Sequence, residues 1–332
     1  MSNESALHLD YDTHRTWHAL VLGRAGMDLY PEPDDCKIQN ALSFSSDLGG
    51  SGGNIAVAMA KAGARVGLIS AVSDDAVGEF VRQRLLQFGV DVSLTINTHD
   101  NERTSLALAE VRNDDCEVVI YRNNAADLKV QCTNAIKQAL ADASNLVVTG
   151  TSLIESDSRQ QALEIMAHAN QLGCMVWLDL DYRAWNWPDL KITRAAYVEA
   201  AAMAQVLIGN DDEFAVLCED IDVQIEQCRQ YDQIMILKRG ADGANLYAGK
   251  AQLNTGIYQL DAVKPYGSGD AFLGNLLVHY MNNGDWLEAV DAGSAAAALV
   301  VSQRGCASAM PTPDQIKSLQ QRHTMNPAAQ WS

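Results

Sequence analysis

Short apolar runs rich in valine, isoleucine and leucine alternate along this chain with longer segments of helical periodicity. The runs at 18–22, 66–71, 146–149, 175–179, 206–209 and 234–238 lack the in–out alternation of a half-exposed strand. They predict strands covered on both faces. Between them the pattern predicts helices over 54–62, 77–88, 133–141, 158–172, 193–202, 211–218 and 221–230, and two long ones, 271–282 and 286–302, close the chain. Strand–helix alternation of this kind predicts an α/β fold built on a largely parallel, doubly wound sheet. Residues 103–112 and 117–122 differ, because apolar and polar positions alternate and the turn-like Asn113-Asp114-Asp115 joins them. They predict an antiparallel hairpin outside the main sheet. Residues 1–16 read as a loose tail. No linker or internal repeat divides the remainder, so residues 17–323 are expected to form one domain.

Composition narrows the function. The 332 residues carry a net charge of −18, with 48% hydrophobic and 20% charged positions. A surface this acidic is not one that grips phosphate backbones, so neither a nucleic acid nor an anionic membrane is expected as partner. An anionic small ligand would need local positive contacts. The seven cysteines (36, 116, 132, 174, 218, 228 and 306) include no Cys-x-x-Cys pair. They read as reduced thiols in a cytoplasmic protein without a zinc site. The start of the chain has no apolar core of a signal peptide.

Five stretches carry chemistry. Gly267-Ser268-Gly269-Asp270 precedes an apolar helical run. Its glycines let backbone N–H groups close on an anion at a helix N-terminus, where the partial positive charge also favours one. Asp270 is then either a helix cap or a base taking the proton of a hydroxyl that attacks phosphorus. Gly49-Gly50-Ser51-Gly52-Gly53-Asn54 opens an earlier helix. Its glycine spacing is wrong for a dinucleotide fingerprint, and the preceding Ser43-Phe44-Ser45-Ser46-Asp47 is too polar for the apolar strand such a fingerprint follows. Two readings stand: backbone approach to a polyhydroxy ligand with the Asn54 amide on its hydroxyls, or a flexible turn. Asn210-Asp211-Asp212-Glu213 is spaced either as a capping box or to hold waters of a hydrated Mg²⁺. In Asp179-Leu180-Asp181-Tyr182-Arg183, period two puts Asp179, Asp181 and Arg183 on one face. Arg183 is there as a surface ion pair or as a fork for carboxylate or phosphate. Lys238-Arg239-Gly240-Ala241-Asp242-Gly243 is a glycine turn between strands that either flanks a nucleotide or only turns the chain.

Taken together, these stretches resemble the PfkB, or ribokinase-like, carbohydrate kinases, from about residue 19 to 313. The glycine cluster 49–56, the Asn210 to Glu213 spacing and Gly267-Ser268-Gly269-Asp270 match that family's signatures in order. A narrower resemblance, to the 5-dehydro-2-deoxygluconokinase group of myo-inositol breakdown, is spread over the chain. It rests on Gly23-Arg24-Ala25-Gly26-Met27-Asp28-Leu29-Tyr30-Pro31, Val72-Ser73-Asp74-Asp75, Tyr121-Arg122 with Ala126-Asp127-Leu128, Leu178-Asp179-Leu180-Asp181-Tyr182-Arg183 and Ala309-Met310-Pro311-Thr312.

The resemblance implies a three-layer αβα sandwich with a small β-sheet lid, whose segments lie near 30–47 and 95–124. It implies ATP as donor and Mg²⁺ as cofactor. Asp270 is cast as the base, with Gly267, Ser268 and Gly269 as the anion hole. Asp28, Gly50 and Asn54 are implied to orient sugar hydroxyls, and Arg122 and Arg183 to take a substrate carboxylate. Lys238, Gly240 and Gly243 are implied to flank ATP, and Asn210 and Glu213 to hold Mg²⁺ through water. Many members have an acid just before the anion hole that helps hold a monovalent cation, where this chain has Lys264-Pro265-Tyr266. Little dependence on K⁺ is expected. The implied reaction is phosphorylation of a sugar acid at C6. The alternatives are another sugar or sugar acid, such as 2-dehydro-3-deoxygluconate or a hexose, and a non-catalytic sugar sensor. Open lid edges lead to the expectation of a homodimer through the lid.

Overall fold

The computed structural model describes residues 15–112 and 115–331. The N-terminal tail up to residue 14, and Asn113 and Asp114 of the expected hairpin turn, lie outside the described residues. Among the described residues, fourteen strands form two sheets. In chain order they are β1 (Trp17–Leu22), β2 (Gly26–Glu32), β3 (Ser43–Gly49), β4 (Val66–Ser73), β5 (Thr95–Thr98), β6 (Ser105–Ala109), β7 (Val118–Tyr121), β8 (Ala143–Thr149), β9 (Met175–Asp179), β10 (Val206–Asn210), β11 (Ile234–Lys238), β12 (Ala244–Ala248), β13 (Ala251–Thr255) and β14 (Gln330–Trp331). The helices are α1 (Ser51–Lys61), α2 (Ala76–Gln87), α3 (Asn134–Ala141), α4 (Ser156–Gln171), α5 (Leu190–Ala201), α6 (Asp211–Leu217), α7 (Ile221–Gln230), α8 (Ser268–Asn283), α9 (Trp286–Val301) and α10 (Pro313–Arg322).

The large sheet runs β14-β13-β12-β11-β10-β9-β8-β1-β4-β5. From β11 to β5 every pairing is parallel, and β12, β13 and β14 add an antiparallel edge. Both faces are buried, as the apolar runs require. In β1, Ala19 and Val21 enter the core beneath α1, α2, α8, α9 and α10, while Leu20 and Leu22 enter the core beneath α3 to α7. The result is the expected αβα sandwich. The small sheet, β3-β2-β6-β7, stands apart. Within it β2 pairs antiparallel with β3 and parallel with β6, and β6 pairs antiparallel with β7.

The polar run 43–47, within the segment 30–47 implied for the lid, is a strand of the small sheet. The structure differs from the sequence reading in three places. Thr95–Thr98, expected in the lid, pairs parallel with β4 as the last strand of the main sheet. Helices do not end the chain at 302, since α10 and β14 follow. Finally, β9 ends at Asp179 and Asp181 has φ +36°, so period two does not carry through to Arg183. The N–H of Leu180 still reaches the carbonyl of Ile208, which holds the turning chain against the sheet.

β1 is the switch point of this topology. The chain first builds outward through β4 and β5, then returns to place β8 on the other side of β1. In open α/β sheets ligands bind beyond the strand carboxyl ends at such a point. The residues just past β1, β8, β9, β10 and β11 meet there, facing the lid and the start of α8. Among the described residues, no helix is long and apolar enough to cross a membrane.

Candidate active site

The N-terminus of α8 divides two cavities. One, of about 310 Å³, lies under the lid and is lined by Asp28, Gly50, Asn54, Arg122, Arg183 and Asp270, among others. The other, of about 440 Å³, is lined by Lys238, Gly240, Gly243, Ser268 and Gly269 together with apolar side chains such as Ile257, Leu260 and Phe272. Every residue implied for the sugar falls on the first cavity, and every residue implied for the nucleotide on the second. Gly267 and Asp270 line the first, while Ser268 and Gly269 line the second.

Local geometry explains the glycines. Gly267 caps α8 at φ +87°, a conformation most side chains avoid. Gly50 caps α1 at φ +89°, and a Cβ there would meet the carbonyl oxygen of Arg24 at 2.6 Å. The two glycine-rich helix starts are thereby brought together. Asn54 Nδ2 donates to Asp270 Oδ2 at 2.8 Å.

Asp270 is partly open to the cavity yet surrounded by protein. Burial, reinforced by the carboxylates of Asp181 and Asp179, pushes its pKa up to about 7. The cap position of α8 is Gly267 and Asp270 is the third residue of the helix, so Asp270 is not its N-cap. Asp28 is also pushed up to about 6, chiefly by burial, with Arg24 and a hydrogen bond from Tyr30 Oη opposing.

A charged cluster lies beyond β9, β10 and β11. Lys238 Nζ sits 3.2 Å from Asp179 Oδ1 and 3.7 Å from Glu213 Oε2. Burial disfavours its charge, but Asp179 and Glu213 more than offset that and raise its pKa. Asp179 itself is pushed up to about 6, mainly by burial. Asn210 and Glu213 form a complete capping box. The Asn210 side chain accepts from the Glu213 N–H at 2.9 Å, and Glu213 Oε2 accepts from the Asn210 N–H at 2.8 Å. Glu213 Oε1 also lies 3.5 Å from Arg183 Nη1, so it caps the helix and belongs to the charged cluster at once.

The two arginines implied for a carboxylate line the cavity but are already engaged. Arg122 Nη2 donates to the Asp127 carboxylate and, at 3.0 Å, to the carbonyl of Thr151. Arg183 Nη2 lies 2.8 Å from Asp181 Oδ1. The sequence reading gave no role to Asp179, Asp181 or Arg24, which the structure places in the same region. Asp179 had one legible signal, a carboxylate closing an apolar strand. Arg24 had only its place after β1, within the stretch 23–31 that carries the narrower resemblance.

The donor set suits the implied ligands. Among the buried polar atoms without a protein partner, Arg24 Nη1, Ser51 Oγ, Asn54 Oδ1 and Arg122 Nε all belong to residues lining the lid-side cavity. A polyhydroxylated ligand would satisfy them. The other cavity has the apolar walls that an adenosine needs, beside the α8 amides. Asp179, Asp181, Glu213 and Asp270 outnumber the nearby Lys238 and Arg183, which fits a hydrated cation. Away from this cleft, Cys132, Glu164 and His168 offer ligand atoms within 4.8 Å of one another. There Glu164 Oε1 already takes Lys137 Nζ at 3.2 Å.

An αβα sandwich with two cavities meeting at a glycine-rich helix start and a carboxylate defines a small-molecule phosphotransferase. The chain belongs to the pfkB family of carbohydrate kinases, whose model matches residues 18–313. It is 37% identical over 309 residues to the 5-dehydro-2-deoxygluconokinase of Photobacterium profundum, covering 90% of this chain and 93% of that one. It is 32% identical over 318 residues to the enzyme of the same name from Geobacillus thermodenitrificans, covering 93% and 94%. A solved E. coli structure described as a putative ribokinase II in complex with ATP and Mg²⁺ superposes with a TM-score of 0.84. It is 20% identical and covers 92% of this chain and 100% of its own, a likeness of fold.

Proposed function

We propose that this kinase transfers the γ-phosphoryl group of ATP to the primary C6 hydroxyl of 5-dehydro-2-deoxy-D-gluconate. The observation that carries the reading is Asp270, a carboxylate with a pKa raised to about 7, beside the anion-binding start of α8 and between a cavity that holds three arginines and Asp28 and a more apolar one. In this reading the sugar lies under the lid and the nucleotide beside Lys238, Gly240 and Gly243. Asp270 takes the C6 hydroxyl proton as the sugar oxygen bonds to phosphorus and the bond to the ADP oxygen breaks. A base is most effective with a pKa near working pH. The amides of Gly267, Ser268, Gly269 and Asp270 face the charge that spreads over the transferring oxygens. Asn54 holds Asp270 in place, and with Asp28 and the Gly50 backbone it orients hydroxyls. Bound Mg²⁺ supplies charge neutralisation at the donor phosphates, with Asn210 and Glu213 its proposed partners through water.

The lid, β2, β3, β6 and β7 with their connections, shields the transfer from water. Lid edge strands β3 and β7 expose Phe44, Val118 and Tyr121, and edges of this kind support pairing between two copies. Sedimentation of the purified chain tests that, a monomer at all concentrations refuting it.

The substrate test is an ADP-release assay over a panel of sugar acids and neutral hexoses, with NMR location of the new phosphoester. The expected result is preference for 5-dehydro-2-deoxygluconate with phosphorus on O6. Preference for a neutral hexose would refute the substrate, and ATP turnover with no acceptor on the panel would refute the kinase assignment to sugars of this kind.

A further inference from the structure

Three arginines line the lid-side cavity, and their charge balance differs. Arg122 is paired with Asp127, and Arg183 with Asp181 and Glu213. A substrate carboxylate on either would put further negative charge on a guanidinium that is already neutralised. Among the described residues, the Arg24 side chain makes no ion pair and no hydrogen bond, and its Nη1 is buried without an acceptor. A buried donor on a charged group with no partner carries an uncompensated desolvation cost. Arg122 Nε is also without an acceptor, but there the charge is already met.

The backbone beneath Arg24 is fixed. Its carbonyl accepts the Gly53 N–H at 3.0 Å and packs against Gly50 so closely that a Cβ would intrude. The start of the side chain is therefore set by the same helix terminus that presents Asn54 to the cavity. Asp28 is near enough to feel the Arg24 charge, yet the two form no ion pair. Arg24 is thus a preorganised fork with free donors, in a protein whose net charge of −18 opposes the approach of any anion.

We infer that Arg24 receives the carboxylate of the substrate and sets the preference for sugar acids over neutral sugars, with Arg122 and Arg183 bracing the cavity walls. This rests on the sugar-acid reading above.

The test compares kcat/KM for the sugar acid and for the same sugar carrying a carboxamide in place of the carboxylate. The proteins are the wild type, Arg24→Gln, Arg24→Lys and Arg183→Gln. Arg24→Gln is expected to lower the value for the acid by about ten- to a hundredfold, mostly through KM, the scale of one charge-assisted contact. The carboxamide should change by less than about twofold, Arg24→Lys should recover part of the loss, and Arg183→Gln should move both substrates together. Melting temperature and ATP binding, measured in parallel, verify folding. If Arg24→Gln is unstable, Arg24→Lys makes the same comparison through its altered acid-to-amide ratio. A wild type that prefers the acid, with Arg24 variants that lose both substrates equally or neither, would overturn the role of Arg24 and leave the sugar-acid reading standing. A wild type that does not prefer the acid overturns both.

Discussion

Asn54 Nδ2 and Asp270 Oδ2 are joined by a 2.8 Å hydrogen bond across 216 residues of sequence. That bond ties the start of α1 to the start of α8, and so ties the sugar cavity to the proposed base. A donated hydrogen bond favours the ionised carboxylate, whereas burial and the neighbouring Asp181 and Asp179 oppose ionisation.

Replacing Asp270 with Asn keeps the shape and removes the acceptor. kcat is expected to fall by about 10²–10⁴-fold, the scale of general-base loss, with ATP affinity little changed. Near-normal turnover would leave Asp270 without a catalytic role. Stability has a definite sign. In the unfolded chain Asp270 titrates near 3.8, and in the folded one near 7. The native state therefore holds its proton longer, and the buried charge costs stability increasingly as pH rises through that window. Asp270→Asn should melt higher than wild type at pH 8, and the gap should narrow as pH approaches 4.

The same pKa predicts the pH profile. The base must be ionised, so wild-type kcat/KM should fall below a midpoint near pH 7. Asn54→Ala deletes the hydrogen bond that lowers the Asp270 pKa and should move that midpoint upward as well as weakening the sugar. An unmoved limb in Asn54→Ala, with activity otherwise reduced, would separate Asn54 from the base.

Elements were legible where burial is complete. β9 and β11 match their apolar runs residue for residue, because a strand covered on both faces leaves few other readings. β3 was legible only through the resemblance that placed 30–47 in the lid, since Ser43-Phe44-Ser45-Ser46-Asp47 forms no apolar run. β13, where Gln252 and Asn254 alternate with buried Ala251, Leu253 and Thr255, lies in the antiparallel edge of the main sheet, where one face is less covered and the apolar run breaks up. In the site, glycines and Asp270 announce themselves by local rules of φ and capping. Lys238 meets Asp179 across 59 residues, and Arg122 meets Asp127, 5 residues on, across an irregular turn with no helix or strand period, so no periodic pattern separates these engaged cations from the unpaired Arg24.

Glu213 offers a test of two roles held by one side chain. Glu213→Gln retains an acceptor for the capping box, so α6 should form and melting should change little. It removes a negative charge between Lys238 and Arg183. If Glu213 also orders the water shell of Mg²⁺, kcat should fall and the Mg²⁺ concentration for half-maximal rate should rise. An unchanged Mg²⁺ titration would reduce Glu213 to its structural pairs.

Lys264 bears on the requirement for cations. Its side chain is fully buried, and Nζ donates to the carbonyl of Tyr266 at 2.7 Å, directly before the anion hole. A Cβ on Gly267 would stand 3.5 Å from that ammonium. Burial lowers the Lys264 pKa, while Cys306, Asp270, Asp28 and Asp47 favour the charged form. The fixed ammonium supplies positive charge beneath the loop, and its hydrogen bond occupies the Tyr266 carbonyl. Initial rates should therefore agree within about twofold in K⁺ and Na⁺ at constant ionic strength, a difference of less than about 0.5 kcal/mol in barrier. Lys264→Met should lower kcat more than it raises KM for the sugar, because the charge acts on the loop and on Asp270 rather than on substrate binding. Strong stimulation of the wild type by K⁺ over Na⁺ would show that a separate cation site exists and that Lys264 does not replace it.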